Sequence, residues 1–230
     1  VEIERGEANM AEEQAAAPRK AGGLGAILSR REVWICFLLG IATATPTVVT
    51  GVTLGFWLRE EGLALQTIGF ISWIGLVFGL KALWSPVVER VTLPFTAKFG
   101  RLRGWMLLGQ IIVGLGLLGM ALIGPKANLG LFAAFALVAA FASATQDIAA
   151  DSWRIEAAGD PDQELFAASY IFGLRLGLVG ADAGVLIGAQ LIGWSGAYQI
   201  IAASSVIGLL AVALAREPHV AARPLGKGVR

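Results

Sequence analysis

The sequence predicts an all-α integral membrane protein with six transmembrane helices, on three observations. Of its 230 residues, 56% are hydrophobic and only 15% are charged, against about 45–50% and about 25% in an average soluble domain. The excess is gathered in six apolar blocks, several of them near the ~20 residues that carry a helix across ~30 Å of hydrocarbon. The alternating ten-residue pattern of a membrane barrel is absent, and in lipid a chain satisfies its backbone only as helices or a closed barrel. A soluble enzyme is excluded. The net charge of +1, from 18 Lys+Arg and 17 Asp+Glu, leaves no basic domain for nucleic acid. One cysteine, Cys36, and one histidine, His219, are too few for a disulfide framework or an imidazole or thiolate metal site. No cofactor and no metal are expected.

Residues 1–32 read as a cytoplasmic N-terminal tail. They lack the apolar core of a signal peptide and are rich in glutamate, with a short interfacial piece at 24–28. Met10 opens an ordinary start, so residues 1–9 read as a translated leader, which mass spectrometry of the native N-terminus checks. Six helices follow at 33–58, 66–88, 105–123, 129–150, 165–192 and 197–215, together a transmembrane domain over 33–215. Residues 216–230, with Pro218, Pro224 and four basic side chains, read as a cytoplasmic linker. Thirteen Lys and Arg flank the spans on one side, and only Arg59 and Lys126 do so on the other. Positive charge stays in the cytoplasm, so both termini are placed there. Asp160-Pro161-Asp162 with Glu164 reads as a turn and helix cap before the fifth span.

Four charges fall inside the spans: Lys81, Asp147, Arg175 and Asp182. On insertion scales each costs roughly 2.5–3.5 kcal/mol at the bilayer centre, so they are expected to face a bundle interior or a wet cavity. In the fourth span Ser143, Asp147, Asp151 and Arg154 share one helical face. Gln146 lies about 100° away, and Glu156 falls on the opposite side. Lys81 and Asp147 come at similar depth, which predicts an ion pair. In the fifth span Arg175 and Asp182 lie on one side, while Gly173, Gly177, Gly180, Gly184 and Gly188 form a smooth ridge on the other, suited to a neighbouring helix. Gly75 and Gly79 form a second packing pair. Gly114-Leu-Gly-Leu-Leu-Gly119 matches a dinucleotide fingerprint only formally, since no strand precedes it, and reads as a packing face or chance. Of seven tryptophans, mostly at span ends, Trp73 and Trp84 are those that could stack on a sugar ring.

At these residues the sequence resembles the AmpG-like muropeptide permeases of the major facilitator superfamily, over nearly all of 33–217. The landmarks are Trp57-Leu58-Arg59-Glu60-Glu61-Gly62, Gln66-Thr67-Ile68-Gly69, and Leu80-Lys81-Ala82-Leu83-Trp84-Ser85-Pro86-Val87-Val88-Glu89-Arg90. They continue through Gly100-Arg101-Leu102-Arg103-Gly104-Trp105, Ser143-Ala144-Thr145-Gln146-Asp147-Ile148 and Arg175-Leu176-Gly177. The resemblance implies the N-terminal six-helix half of a bundle built as a 3+3 inverted repeat. It further implies proton-coupled import of anhydro-muropeptides from cell-wall recycling across the bacterial cytoplasmic (inner) membrane. Lys81, Gln146, Asp147 and Arg175 match the family's polar positions, for substrate or proton. Glu89, Arg90, Arg101 and Arg103 look like its charged loop, which with Asp151 and Arg154 would form a cytoplasmic gate. Glu89 stands where the family usually has Asp, and Asp182 stands where a small residue is usual.

The partners so implied are a small glycopeptide, protons, lipid and a second six-helix half, supplied by a missing C-terminal part or by another chain. The competing reading is a non-transporting assembly or scaffold protein built on such a half. No nucleophile with an acid/base pair can be assembled, so no enzymatic activity is expected.

Overall fold

The computed structural model describes residue 25 and residues 28–159 and 162–217. The leader at 1–9, Met10, most of the tail, the Asp160-Pro161 turn, His219 and most of the linker lie outside the described residues. All regular structure among the described residues is helical, and five stretches of it are long and apolar enough to cross a membrane.

The first stretch, Arg31–Glu60, consists of α1 (Arg31–Val49) and α2 (Val52–Glu60). The interruption at Thr50 and Gly51 follows Pro46, which supplies no backbone donor. Thr50 Oγ1 returns a bond to the Pro46 carbonyl at 2.7 Å, and the buried Tyr198 hydroxyl donates to the Val49 carbonyl at 2.6 Å. Beyond α2, Gly62 adopts φ 80°. Its N–H reaches Arg59 O and the Leu63 N–H reaches Leu58 O, the paired bonds of a Schellman ending that needs glycine.

The second stretch, Leu65–Leu83, alternates α3 (Leu65–Ser72) and α4 (Leu76–Leu80) with single 3₁₀ turns at Trp73–Gly75 and Lys81–Leu83. Helix α5 (Ser85–Arg90) continues it, with proline in the first turn. This stretch is mostly exposed. No heavy atom outside its own turn and neighbours lies within 4 Å of where a Cβ would stand on Gly75 or Gly79, so the predicted packing pair is corrected. Among the described residues it faces outward.

Helix α6 (Arg101–Ala127) bends at Gly124, φ 66°, just before Pro125. Helix α7 (Leu129–Ala157) begins with the Asn128 side chain accepting from Leu131 N at 3.0 Å. These two helices pack most extensively, because glycines of α6 admit α7. A Cβ on Gly109 would lie 2.9 Å from Gln146 Cβ, and one on Gly116 2.9 Å from Ala139 Cβ. The Gly114 to Gly119 segment is thus a packing face: Gly116 and Gly119 meet α7, and Gly114 meets Ser205. Helix α8 (Gln163–Leu214) runs for 52 residues, and Gly193 inside it has non-helical angles, φ 78° and ψ 163°. The predicted interval between the last two spans narrows to about this residue.

The glycine ridge of α8 splits in two. Cβ atoms on Gly40 or Gly173 would strike backbone of the opposing helix, α8 or α1 respectively, and Gly177 sits 2.9 Å from Ile41 Cα by the same measure. Helices α1 and α8 therefore touch backbone to backbone. Gly180 and Gly184 have open space, which corrects that part of the ridge. Two apolar clusters fill the interior. Trp57, Phe132, Trp194 and Tyr198 anchor one, and Cys36, Leu39, Met106, Trp153 and Phe166 anchor the other.

Candidate functional site

Lys81, in the 3₁₀ turn of the second stretch, forms an ion pair with Asp147 Oδ2 on α7, as its depth predicts. Their side chains are 33% and 22% exposed. The other oxygen, Oδ1, accepts from the Tyr170 hydroxyl of α8 at 2.9 Å. That hydroxyl lies 3.0 Å from Thr43 Oγ1 of α1, which in turn reaches the Gly40 carbonyl at 3.1 Å. The carboxylate of α7 is therefore bonded from two other stretches directly and linked to α1 through Tyr170. Arg154, one turn beyond Asp151, bonds it at 3.3 Å and places its guanidinium 5.3 Å from the Tyr170 ring centre.

Around this centre the other predicted residues take different places. Gln146 is buried and donates to Gln110 of α6 at 2.5 Å, while its Oε1 and the neighbouring Ser143 hydroxyl have no partner among the described residues. Arg175 is exposed and joins no hydrogen bond or ion pair among the described residues. Asp182 accepts from the fully buried Thr53 hydroxyl at 2.6 Å, a partner on α2 rather than Arg175. Trp84 bonds Thr145 at 3.1 Å and stacks on Phe141 at 4.8 Å, so its ring is occupied by protein. Trp73 stays exposed.

The end carrying the N-termini of α1 and α6 is fastened by a second set. Arg101 donates to the Glu89 carbonyl and pairs with Glu156 at 2.6 Å. Arg103 donates to the carbonyls of Val212 and Ala213, both at 3.3 Å, at the C-terminus of α8. Glu217 does the converse, accepting from the backbone N–H groups of Leu102 and Arg103 at 2.9 and 3.1 Å. A carboxylate at a helix N-terminus and a guanidinium at a C-terminus both oppose the helix dipoles. The side chains of Glu89 and Arg90 are exposed, and Glu89 contributes here through its backbone.

At the opposite end Glu61 pairs with Lys126 at 2.7 Å, and Trp194 donates to Glu60 at 2.6 Å. The Lys126 hydrogen bond holds the Glu61 carboxyl below the usual glutamate range, with smaller help from the Trp57 N–H. Among the described residues, no three His, Cys, Asp or Glu side chains converge as a metal would need.

Tyr170, Thr43, Glu156 and Glu217 were not singled out as site residues from sequence. A hydroxyl in an apolar run carries little signal, and Glu217 sits just past the last helix in what reads as linker. A buried tyrosine's need for a hydrogen-bond partner is the one cue that could have drawn attention to Tyr170.

No family model matches the chain. It is 38% identical over 185 residues to the anhydromuropeptide permease of Escherichia coli (strain K12), covering 80% of this chain and 37% of that protein. To the putative transporter AmpG 4 of Rickettsia conorii it is 31% identical over 186 residues, covering 80% of this chain and 45% of the relative. An uncharacterized protein of Haemophilus influenzae is 31% identical over 202 residues, covering 87% and 47%. The chain thus spans less than half the length of these relatives. The chain belongs to the AmpG-like muropeptide permeases.

Proposed function

We propose that this chain is part of a secondary active transporter that imports anhydro-muropeptides, with protons, across the bacterial cytoplasmic membrane. One observation carries the reading. In a chain 38% identical to an anhydromuropeptide permease, Asp147 of α7 bonds side chains from two other apolar stretches, Lys81 and Tyr170, and reaches a third through Thr43. Charge at that depth is retained where it faces a cavity or pathway.

In the mechanism, a proton taken up by Asp147 neutralises it and releases the Lys81 ammonium. Lys81 and Arg175 then attract the substrate's carboxylates, the guanidinium by its planar fork. Gln146, buried against Gln110 in this conformation, adds amide hydrogen bonds to the substrate. Arg101, Arg103, Asp151 and Arg154, with Glu89 and Arg90, form the gate at the cytoplasmic end.

The topology proposed is six crossings over 33–215, with the tail 1–32 and the linker 216–230 both cytoplasmic, as half of a 3+3 inverted repeat. The 52 residues of α8 are two helices joined at the non-helical Gly193, about 45 Å before it and about 32 Å after it at 1.5 Å per residue, each enough for the ~30 Å of hydrocarbon. A bend at Gly193 turns them into two crossings. A second six-helix half covers the exposed faces of the second stretch and α8, and closes the cavity.

The test is uptake of a radiolabelled anhydro-muropeptide by proteoliposomes holding the native gene product. Uptake driven by an inward proton gradient, lost in Asp147→Asn, is expected. No uptake, or uptake indifferent to the gradient, overturns the reading.

A further inference from the structure

We propose that Tyr170 and Thr43 form a reversible hydrogen-bond relay that reports the protonation of Asp147 to the crossing of α1 and α8. The inference rests on the transport reading above and deepens it, adding positioning residues to the proton site.

The argument is a count of protons. Tyr170 and Thr43 each carry one O–H and accept through the same oxygen. The Tyr170 oxygen lies 2.9 Å from Asp147 Oδ1 and 3.0 Å from Thr43 Oγ1, and Thr43 Oγ1 lies 3.1 Å from the Gly40 carbonyl. Three contacts thus join Asp147, Tyr170, Thr43 and Gly40, with a proton available for each only when Asp147 carries one.

With Asp147 ionised, Tyr170 must donate to it, since a carboxylate only accepts. Thr43 then donates to Tyr170, since two hydroxyl oxygens 3.0 Å apart repel with no proton between them, and the Gly40 carbonyl loses the threonine proton. With Asp147 protonated on Oδ1, the oxygen that does not face the Lys81 ammonium, its O–H donates to Tyr170, Tyr170 donates to Thr43, and Thr43 donates to Gly40. No covalent bond within the relay forms or breaks, and each oxygen keeps its own hydrogen. Only the two hydroxyl rotors turn, so the change is fast.

The relay ends at a mechanically sensitive place. Gly40 is the residue whose missing Cβ lets α1 meet α8, at the backbone of Tyr170 and Leu174. The same tyrosine therefore supplies the relay hydroxyl from its side chain and the helix contact from its carbonyl. Thr43 and Tyr170 are 3% and 6% exposed, so water does not readily replace either link. The charged groups around Asp147 are Lys81 from the second stretch, and Asp151 and Arg154 from α7 itself. From α8 only Tyr170 bonds it, and α1 reaches it through Thr43. A substrate carboxylate arriving at Lys81 competes with Asp147 for the ammonium.

The experiment uses the native gene product in proteoliposomes with radiolabelled anhydro-muropeptide. Two rates are compared: exchange between preloaded and external substrate without a gradient, and accumulation under an imposed proton gradient. Tyr170→Phe is expected to lose accumulation at least tenfold more than exchange. Thr43→Val should do the same, and Thr43→Ser should restore wild-type behaviour. A Tyr170→Phe protein that accumulates as wild type, or loses both rates equally, overturns the relay. Wild-type protein showing neither rate overturns the transport reading itself.

A second readout needs no transport. The infrared C–O band of Tyr170, assigned by difference against Tyr170→Phe, should shift on titration in wild type and stay fixed in Asp147→Asn. A band fixed in wild type, or moving equally in Asp147→Asn, also overturns the relay.

Discussion

Two identical substitutions seven residues apart on α8 are expected to move stability in opposite directions. Gly173 and Gly180 lie nearly in line on the helix, so their sequence positions do not distinguish them. In the structure, a Cβ on Gly173 would land on the Phe37 backbone of α1, whereas one on Gly180 meets nothing within 4 Å. To accept Gly173→Ala, the two helices must separate by roughly an ångström, and overpacking of this kind costs about 1–3 kcal/mol. Backbone is on both sides, so no rotamer change relieves it. The upper part of that range applies, offset by the ~1 kcal/mol that alanine gains over glycine in a helix. The net is a loss of about 2 kcal/mol. Gly180→Ala keeps the helix gain alone, up to about 1 kcal/mol. The assay uses the chain's single cysteine, Cys36, which has 0% exposure in the cluster beside this crossing. A thiol-reactive fluorogenic dye reports its release during a thermal ramp in detergent. At ~2–4 °C per kcal/mol for a chain of this size, Gly173→Ala should melt roughly 4–8 °C below wild type, and Gly180→Ala at or above it. Coincident melting of the two variants would refute the backbone contact.

Lys81→Met leaves Asp147 held by Tyr170 alone. With both partners partly exposed, the loss should fall between surface and buried pairs, about 1–2 kcal/mol. A double-mutant cycle with Asp147→Asn should return a coupling of that order, and zero coupling contradicts the pair. Glu217→Ala removes the acceptor of two backbone N–H groups at the start of α6, worth about 1 kcal/mol. Amide exchange should quicken at Leu102 and Arg103 and stay unchanged at Leu117. The pairing of Glu61 with Lys126 stabilises the ionised carboxylate, so its carboxyl titrates below the usual glutamate range. That stability is present above the unfolded-state pKa and is lost as pH falls through the lowered folded-state value. The melting difference between wild type and Glu61→Gln should therefore be full at neutral pH and fade on acidification. A difference that grows towards acid contradicts the pairing.

Spacing made the Lys81–Asp147 pair legible, because two opposite charges at one depth in an apolar medium have few other partners. The hydroxyls that complete the site were not legible in that way. Thr43 and Tyr170 are tolerable in a membrane helix, and nothing in their spacing shows which carboxylate they meet. Glu156 illustrates a different limit. A helical wheel puts it opposite Asp147, which is correct, but a wheel does not say that a helix lies on that side. Because α7 runs on to Ala157, past the predicted end at 150, Glu156 reaches Arg101 of the neighbouring helix. Glycines carry the same ambiguity. Gly173 and Gly180 look alike in a repeat, and only the crossing point of two helices decides which one must lack a side chain.

Gly193 puts that reasoning at its sharpest, since there the backbone itself demands glycine. Its φ of 78° and ψ of 163° lie where an L-residue is strained, and open space surrounds the missing Cβ. Any cost of Gly193→Ala is therefore conformational rather than steric crowding. The residues on its C-terminal side are pinned on two neighbours. Trp194 donates to Glu60 and stacks 6.1 Å from Trp57, while the Ser195 hydroxyl bonds the Ala121 carbonyl. The bend cannot relax into a straight helix without breaking these contacts, so alanine must either bear the strain or release them. Either route should cost on the order of 1–3 kcal/mol. Gly180→Ala, on the same helix without positive φ, provides the comparison in the Cys36 melting assay. If Gly193→Ala melts with Gly180→Ala, residue 193 accepts helical angles. The 52-residue helix would then be continuous, and the proposed sixth crossing would lose its turning point.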